Sequence, residues 1–257
     1  IESVQKKYLG ILGTLYVYEG TDLVAAAYIK DSEAIVYLPY STYRIVVESV
    51  QTGKVEYDNI EVRDTNIVEL RVSVIPVDLF VRIRSERSSI PLSPVEAPLG
   101  IEISVKNIDT NYSLNLTLTS NPLSLYISKE VYEVDVLYNG ILLASGKTNI
   151  SDPGIIFVDL VAKTARLTYT VINDLDNTII DLNVLNITIT SEGPVWRGIS
   201  VPIKTTYLEL PLGFYRISLS SVFYMDTMAY VELFRDTNKT FRVIPIPFDL
   251  RLHLIDD

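Results

Sequence analysis

Leu210-Pro211-Leu212-Gly213-Phe214-Tyr215-Arg216-Ile217 decides how this chain is read, because the phrase occurs more than once. An earlier copy runs Leu38-Pro39-Tyr40-Ser41-Thr42-Tyr43-Arg44-Ile45. Between them, Ile127-Ser128-Lys129-Glu130-Val131-Tyr132-Glu133-Val134 keeps the Tyr and the alternating apolar positions. A second phrase, Arg63-Asp64-Thr65-Asn66, returns as Arg235-Asp236-Thr237-Asn238. Tyr43 to Tyr215 and Arg63 to Arg235 are both steps of 172 residues. One offset shared by two separate phrases is the mark of a tandem array, and it predicts three β modules of about 85 residues each.

The expected divisions are 1–76, 77–163 and 164–247, followed by a C-terminal strand at 248–257. That strand either starts a further module or is donated to a neighbour. The joints carry no Gly/Ser linker, so a stiff, elongated rod is expected rather than flexible beads.

Composition agrees with an all-β chain. Val, Ile, Leu and 17 Tyr dominate an apolar content of 48%, a mixture that fits pleated surfaces better than helices. Strand signals include Leu15 to Tyr18, Ala34 to Leu38, Tyr43 to Val47, Val68 to Val74, Leu79 to Ile83, Ile101 to Val105, Tyr132 to Tyr138, Leu167 to Val171 and Tyr215 to Leu219. Asn139-Gly140 is a strong two-residue hairpin turn. Antiparallel sandwiches follow from many short strands at regular spacing. Leu15 to Tyr18 is the candidate opening strand of the first module.

Several function classes recede. The net charge is −10 and the only basic pair is Lys6-Lys7, which argues against nucleic-acid binding through phosphate neutralisation. No apolar run reaches the ~18 residues of a membrane span. There is no Cys, and the single His is His253. Gly-x-Ser-x-Gly and His-Glu-x-x-His are both missing, so no catalytic residues, cofactor-binding residues or metal ligands are assigned. Low Gln, Met and Cys with high Tyr and Ile point to a heat-adapted source, although 13 Asn point the other way. The first residue is Ile1, not Met, which reads as a processed product or an excised piece from which any signal peptide has gone.

The repeated phrase has a physical role. Its Pro ends a strand because it donates nothing to the ladder. Its Tyr then enters the next strand facing the core and sends its hydroxyl back to an upstream backbone group. Tyr43, Tyr132 and Tyr215 are therefore expected as structural corners.

Pro211-Leu212-Gly213-Phe214-Tyr215 with its alternating apolar residues resembles the prealbumin-like and collagen-adhesin B-type Ig-like modules of surface proteins. The first copy has Ser41 in place of the Gly, and the middle copy lacks both Pro and Gly. The resemblance covers about ten residues per module. It implies an Ig-like sandwich in a setting such as an archaeal S-layer or surface filament. Such modules serve as stalks, filament subunits and carbohydrate-associated domains alike.

Five Asn-x-Ser/Thr sequons mark candidate glycosylation at Asn111, Asn115, Asn149, Asn186 and Asn238. Asn173-Asp174-Leu175-Asp176-Asn177 alternates oxygen ligands as a Ca²⁺ loop does, but it lacks the Gly and the closing acid, so a solvated turn is expected. Trp196, flanked by Gly193-Pro194 and Gly198, either stacks on a sugar or plugs a sandwich edge, and the second is favoured. The expected function is a noncatalytic extracellular structural glycoprotein. It would self-associate into a polymer or lattice, carry N-linked glycans and use no cofactor. A carbohydrate-binding or adhesive stalk is the alternative.

Overall fold

A computed structural model of the protein describes residues 9–63, 67–85 and 92–247. Among these there is no α-helix, only one 3-10 turn at Leu182–Val184, and so none able to cross a membrane. The described residues pack as two units, described separately below.

The first unit begins with β1 (Gly13–Glu19), β2 (Asp22–Ile29), β3 (Ser41–Ser49) and β4 (Gly53–Val62). These form an antiparallel sheet in the order β2-β1-β3-β4. Leu15, Val17, Tyr43, Ile45 and Val47 line its buried face. The unit continues with β5 (Ile75–Ser85), β6 (Leu92–Glu96), β7 (Glu102–Asn107), β8 (Ser113–Thr117), β9 (Leu123–Ile127), β10 (Val131–Tyr138), β11 (Ile141–Asn149) and β12 (Gly154–Ala162). They make one sheet, β6-β5-β12-β11-β10-β7-β8, with β9 added on β5. Asn139 and Gly140 both take positive φ and fold β10 back onto β11, as a two-residue hairpin requires.

The second unit carries β13 (Thr164–Asn173), β14 (Asn186–Gly193), β15 (Arg197–Ile203), β16 (Tyr207–Pro211), β17 (Gly213–Ser220), β18 (Thr227–Leu233) and β19 (Thr237–Val243). Its two sheets run β16-β13-β19 and β15-β14-β17-β18. The inward residues alternate with outward ones: Ile187 and Ile189 of β14, and Tyr215, Ile217 and Leu219 of β17, are all buried. Gly213 sits where a Cβ would lie 2.9 Å from the Gly193 carbonyl oxygen, so only Gly fits this crossing. At the matching place of β3, Ser41 instead directs its hydroxyl to the Glu19 carboxylate.

One strand order recurs three times. β2-β1-β3-β4, β8-β7-β10-β11 and β15-β14-β17-β18 all place the second strand outermost, then the first, third and fourth. A three-stranded arrangement recurs twice, as β9-β5-β12 and β16-β13-β19. In each the central strand runs antiparallel to one neighbour and parallel to the other.

Two expectations are corrected here. Leu15 to Tyr18 is not an opening strand: it lies in β1, which holds the place of β7 and β14. Ala34 to Leu38 and Val68 to Val74 have strand-like sequences, yet they join no ladder. A β-strand exists only against a hydrogen-bonding partner, and among the described residues neither segment pairs with a strand.

Within the first unit, the turn after β3 docks onto the eight-stranded sheet through Gln51, whose exposure is 0%. Its side-chain Oε1 accepts from Leu12 N at 2.7 Å. Its Nε2 donates to the carbonyls of Gly10 at 3.0 Å and Tyr126 at 3.1 Å. Its own carbonyl accepts from Ser128 N at 2.6 Å. Leu9 adds a bridge to Leu125 on the same edge. A buried amide with every donor and acceptor used is stabilising, whereas a half-satisfied one is costly. Gln51→Leu strands three backbone groups, so chemical denaturation should show a loss of about 3 kcal/mol.

Candidate functional site

The three corner tyrosines occupy equivalent strands, Tyr43 in β3, Tyr132 in β10 and Tyr215 in β17. Each is buried, and each hydroxyl returns to a carbonyl four residues upstream. Tyr43 donates to Pro39 O at 2.9 Å, Tyr132 to Ser128 O at 3.3 Å and Tyr215 to Pro211 O at 2.6 Å. The bond ties the start of a core strand to the end of the preceding segment, so the turn between them is held from both sides.

The middle corner is modified for a reason visible in the hydrogen bonds. Where the other two copies have Pro39 and Pro211, it has Ser128. A proline has no N–H, and Ser128 N is the donor to Gln51 O. Ser128 Oγ also lies 2.6 Å from the Tyr132 hydroxyl. Beside this corner Asn107 is completely buried, with its Oδ1 accepting from Asp109 N at 3.0 Å and Thr110 N at 3.1 Å and its Nδ2 donating to Glu130. The degraded repeat is thus the one whose corner also carries a joint.

All five sequon asparagines are exposed. Asn111 sits in the turn before β8, Asn115 on β8, Asn149 at the end of β11, Asn186 at the start of β14 and Asn238 on β19. Asn111 and Asn115 line an open trough of about 710 Å³ on the β8-β7-β10 face, together with Glu102, Lys106 and Asp135.

The Asn173–Asn177 loop uses its oxygens internally. Asn173 Oδ1 accepts from Leu175 N at 3.0 Å, and Asp176 Oδ1 accepts from Thr178 N at 3.0 Å. The second bond, with that from the Thr178 hydroxyl, holds the Asp176 carboxyl below its usual range. Arg242 bonds both Asp174, at 3.1 Å, and Asn177, at 3.0 Å. Among the described residues no group of three or more His, Cys, Asp or Glu side chains converges as a metal site would. Trp196, between β14 and β15, is only 3% exposed and presents no ring face to a sugar.

Sequence reasoning missed Gln51 and Asn107. Each is a single amide in a polar loop by sequence, and only the packing of one sheet against another encloses them.

The burial of the corner hydroxyls also sets their ionisation. Burial pushes Tyr215 far above the ordinary phenol range, and raises Tyr132 and Tyr169 to about 12. The unfolded chain ionises near pH 10 (roughly). Between that pH and about 12 the native state holds more protons than the unfolded one, so stability falls as pH rises.

No protein-family model matches the chain, and no curated protein matches it. Solved structures do match. The Bacillus anthracis TIE protein aligns over 93% of this chain at 13% identity with a TM-score of 0.33. This chain spans about half of that protein, 48% of its length. A shaft pilin of Lactobacillus rhamnosus GG aligns in full over 69% of this chain, at 9% identity and a TM-score of 0.25. The minor pilin of Streptococcus agalactiae aligns in full over 70%, at 9% identity and a TM-score of 0.27. Similarities at this level carry no argument about activity or partner.

The two buried tyrosines of the second unit separate by their hydroxyls. Tyr215→Phe removes a bond to a buried carbonyl and should cost about 1–3 kcal/mol in thermal unfolding. Tyr169 Oη is buried with no bonding partner, so Tyr169→Phe should leave stability unchanged or raise it. A titration followed by tyrosinate absorbance and circular dichroism should show the wild type losing structure through the pH 10–12 window, roughly as the shifted hydroxyls ionise.

Proposed function

We propose that this protein is a noncatalytic structural subunit of a cell-surface assembly, an S-layer or surface filament, made of three Ig-like modules at 1–76, 77–163 and 164–247. The observation that supports the reading most is the joint at Gln51. There a completely buried amide and the Ser128 N–H, 2.6 Å from the Gln51 carbonyl, fix one sheet against the next. A chain built to hold successive sandwiches in register has use for such a joint. A catalytic chain needs convergent titratable groups instead, and the buried polar groups described above, Gln51, Asn107 and Ser128, are engaged in turns and joints.

The exposed sequons favour passage through a glycosylating export route and an extracellular, glycan-bearing surface. Three of the five lie on the first unit and two on the second. The acidic surface, at −10 overall, suits a protein that stays dispersed until it meets its own kind. The adhesive alternative loses its best candidate residue, because Trp196 is enclosed.

Immuno-electron microscopy of intact cells and mass spectrometry of native protein test this reading together. A regular surface lattice or filament, with hexose or hexosamine mass on at least two of Asn111, Asn115, Asn149, Asn186 and Asn238, is the expected result. Unmodified peptides at all five positions from a protein found only inside cells would overturn it.

A further inference from the structure

This inference rests on the surface-assembly reading above and names a contact through which copies join. The 172-residue step that matches Tyr43 to Tyr215 also matches Ser49-Val50-Gln51, the turn after β3, to Ser221-Val222-Phe223, the turn after β17. The two turns are built alike. Ser49 Oγ accepts from Gln51 N at 2.9 Å, and Ser221 Oγ accepts from Phe223 N at 3.1 Å. A Ser hydroxyl bonded to the backbone two residues on fixes a turn locally.

Their surroundings differ. The first turn is docked. Val50 is 3% exposed and Gln51 0%, and Gln51 bonds Tyr126 O and Ser128 N beside the Tyr132 corner. In the second turn Val222 is 75% exposed and Phe223 51%. This turn is nevertheless held firmly. Ser221 Oγ donates to Val184 O at 2.8 Å. Met225 N donates to Ile244 O and Ile246 N to Phe223 O, both at 2.8 Å. These bonds fix Phe223, Met225 and Ile244 as a standing apolar patch, each about half exposed. A patch already held in place loses little entropy when it is covered.

The first turn shows what kind of surface covers such a patch. Gln51 is polar and meets a corner whose Ser128 has an N–H to give. Phe223 offers only a ring, and it matches a corner with no N–H to give, which is a Pro corner. The chain has two of these. At the Tyr215 corner, Pro211 and Leu212 are already buried. At the Tyr43 corner, Pro39 is exposed, and Tyr37 and Tyr40 beside it are 94% and 71% exposed. Exposed Tyr rings are frequent anchors of protein contacts.

We propose that the turn at 221–225 of one copy of this chain docks on the Pro39 corner of a second copy. The contact repeats between molecules, in apolar form, what Gln51 and the Ser128 corner do within one. Its two sides are different surfaces, so each copy offers one of each, and assembly either continues as a filament or closes as a ring. The C-terminal strand expected at 248–257 lies outside the described residues, and this contact does not use it.

Sedimentation velocity over a range of concentrations should show the wild-type protein associating. Phe223→Asp and Tyr37→Asp should each weaken association by about tenfold or more. Leu99→Asp, at an exposed turn outside both surfaces, should not. All three replace exposed side chains, so their unfolding curves should match the wild type. The decisive sample is a mixture of the Phe223→Asp and Tyr37→Asp proteins. The first keeps an intact corner and the second an intact turn, so together they should form dimers and nothing longer. Variants that associate as the wild type does, or a mixture that stays monomeric, would overturn this contact and leave the surface-assembly reading standing. A wild-type protein that is monomeric at every concentration would also overturn the contact, and the same result with no lattice or filament on cells would overturn both.

Discussion

A strand's backbone groups must be paired or face water, and this constraint falls hardest on the middle strand of a three-stranded sheet. β5 and β13 are such strands. Each has a parallel neighbour from later in the chain, β12 or β19, and an antiparallel neighbour from the segment before a Tyr corner. Each also carries a run of buried apolar side chains. Beside β1 to β4, the segments 34–38 and 68–74 have the sequences of strands but join no ladder among the described residues.

The second organising element is the way a corner doubles as a joint. In the outer repeats the corner residue is Pro, whose missing N–H suits a strand end that needs no further bond. In the middle repeat Ser128 keeps the Tyr bond through its carbonyl and uses its N–H on Gln51. One residue thus serves its own Tyr corner and the turn after β3. The neighbouring Asn107 and Glu130 extend the polar network around the same spot. Buried polar networks specify one arrangement over others because any shift leaves groups unpaired.

A structural reading also accounts for where polar chemistry is placed. The sequon asparagines stand on exposed turns and strand faces, while Trp196 is enclosed between β14 and β15. The Asn173–Asn177 loop satisfies its own oxygens and pairs with Arg242. Nothing in these groups converges on a reacting centre.

Much of this was legible in the amino-acid sequence. The 172-residue repeat, the Tyr corners, the Asn139-Gly140 hairpin and the all-β character each rest on local rules: a repeated phrase, a residue's allowed φ, a period of two. What the sequence alone could not decide was pairing. Leu15 to Tyr18 and Ala34 to Leu38 look equally strand-like, yet the first is an inner strand of a sheet and the second has no ladder. Strand propensity is a statement about side chains on a pleated surface, whereas a strand is made by a partner that lies far away in the chain. Gln51 and Asn107 are the same lesson in polar form. Each is an ordinary amide until tertiary packing encloses it and obliges every one of its hydrogen bonds to be met by protein.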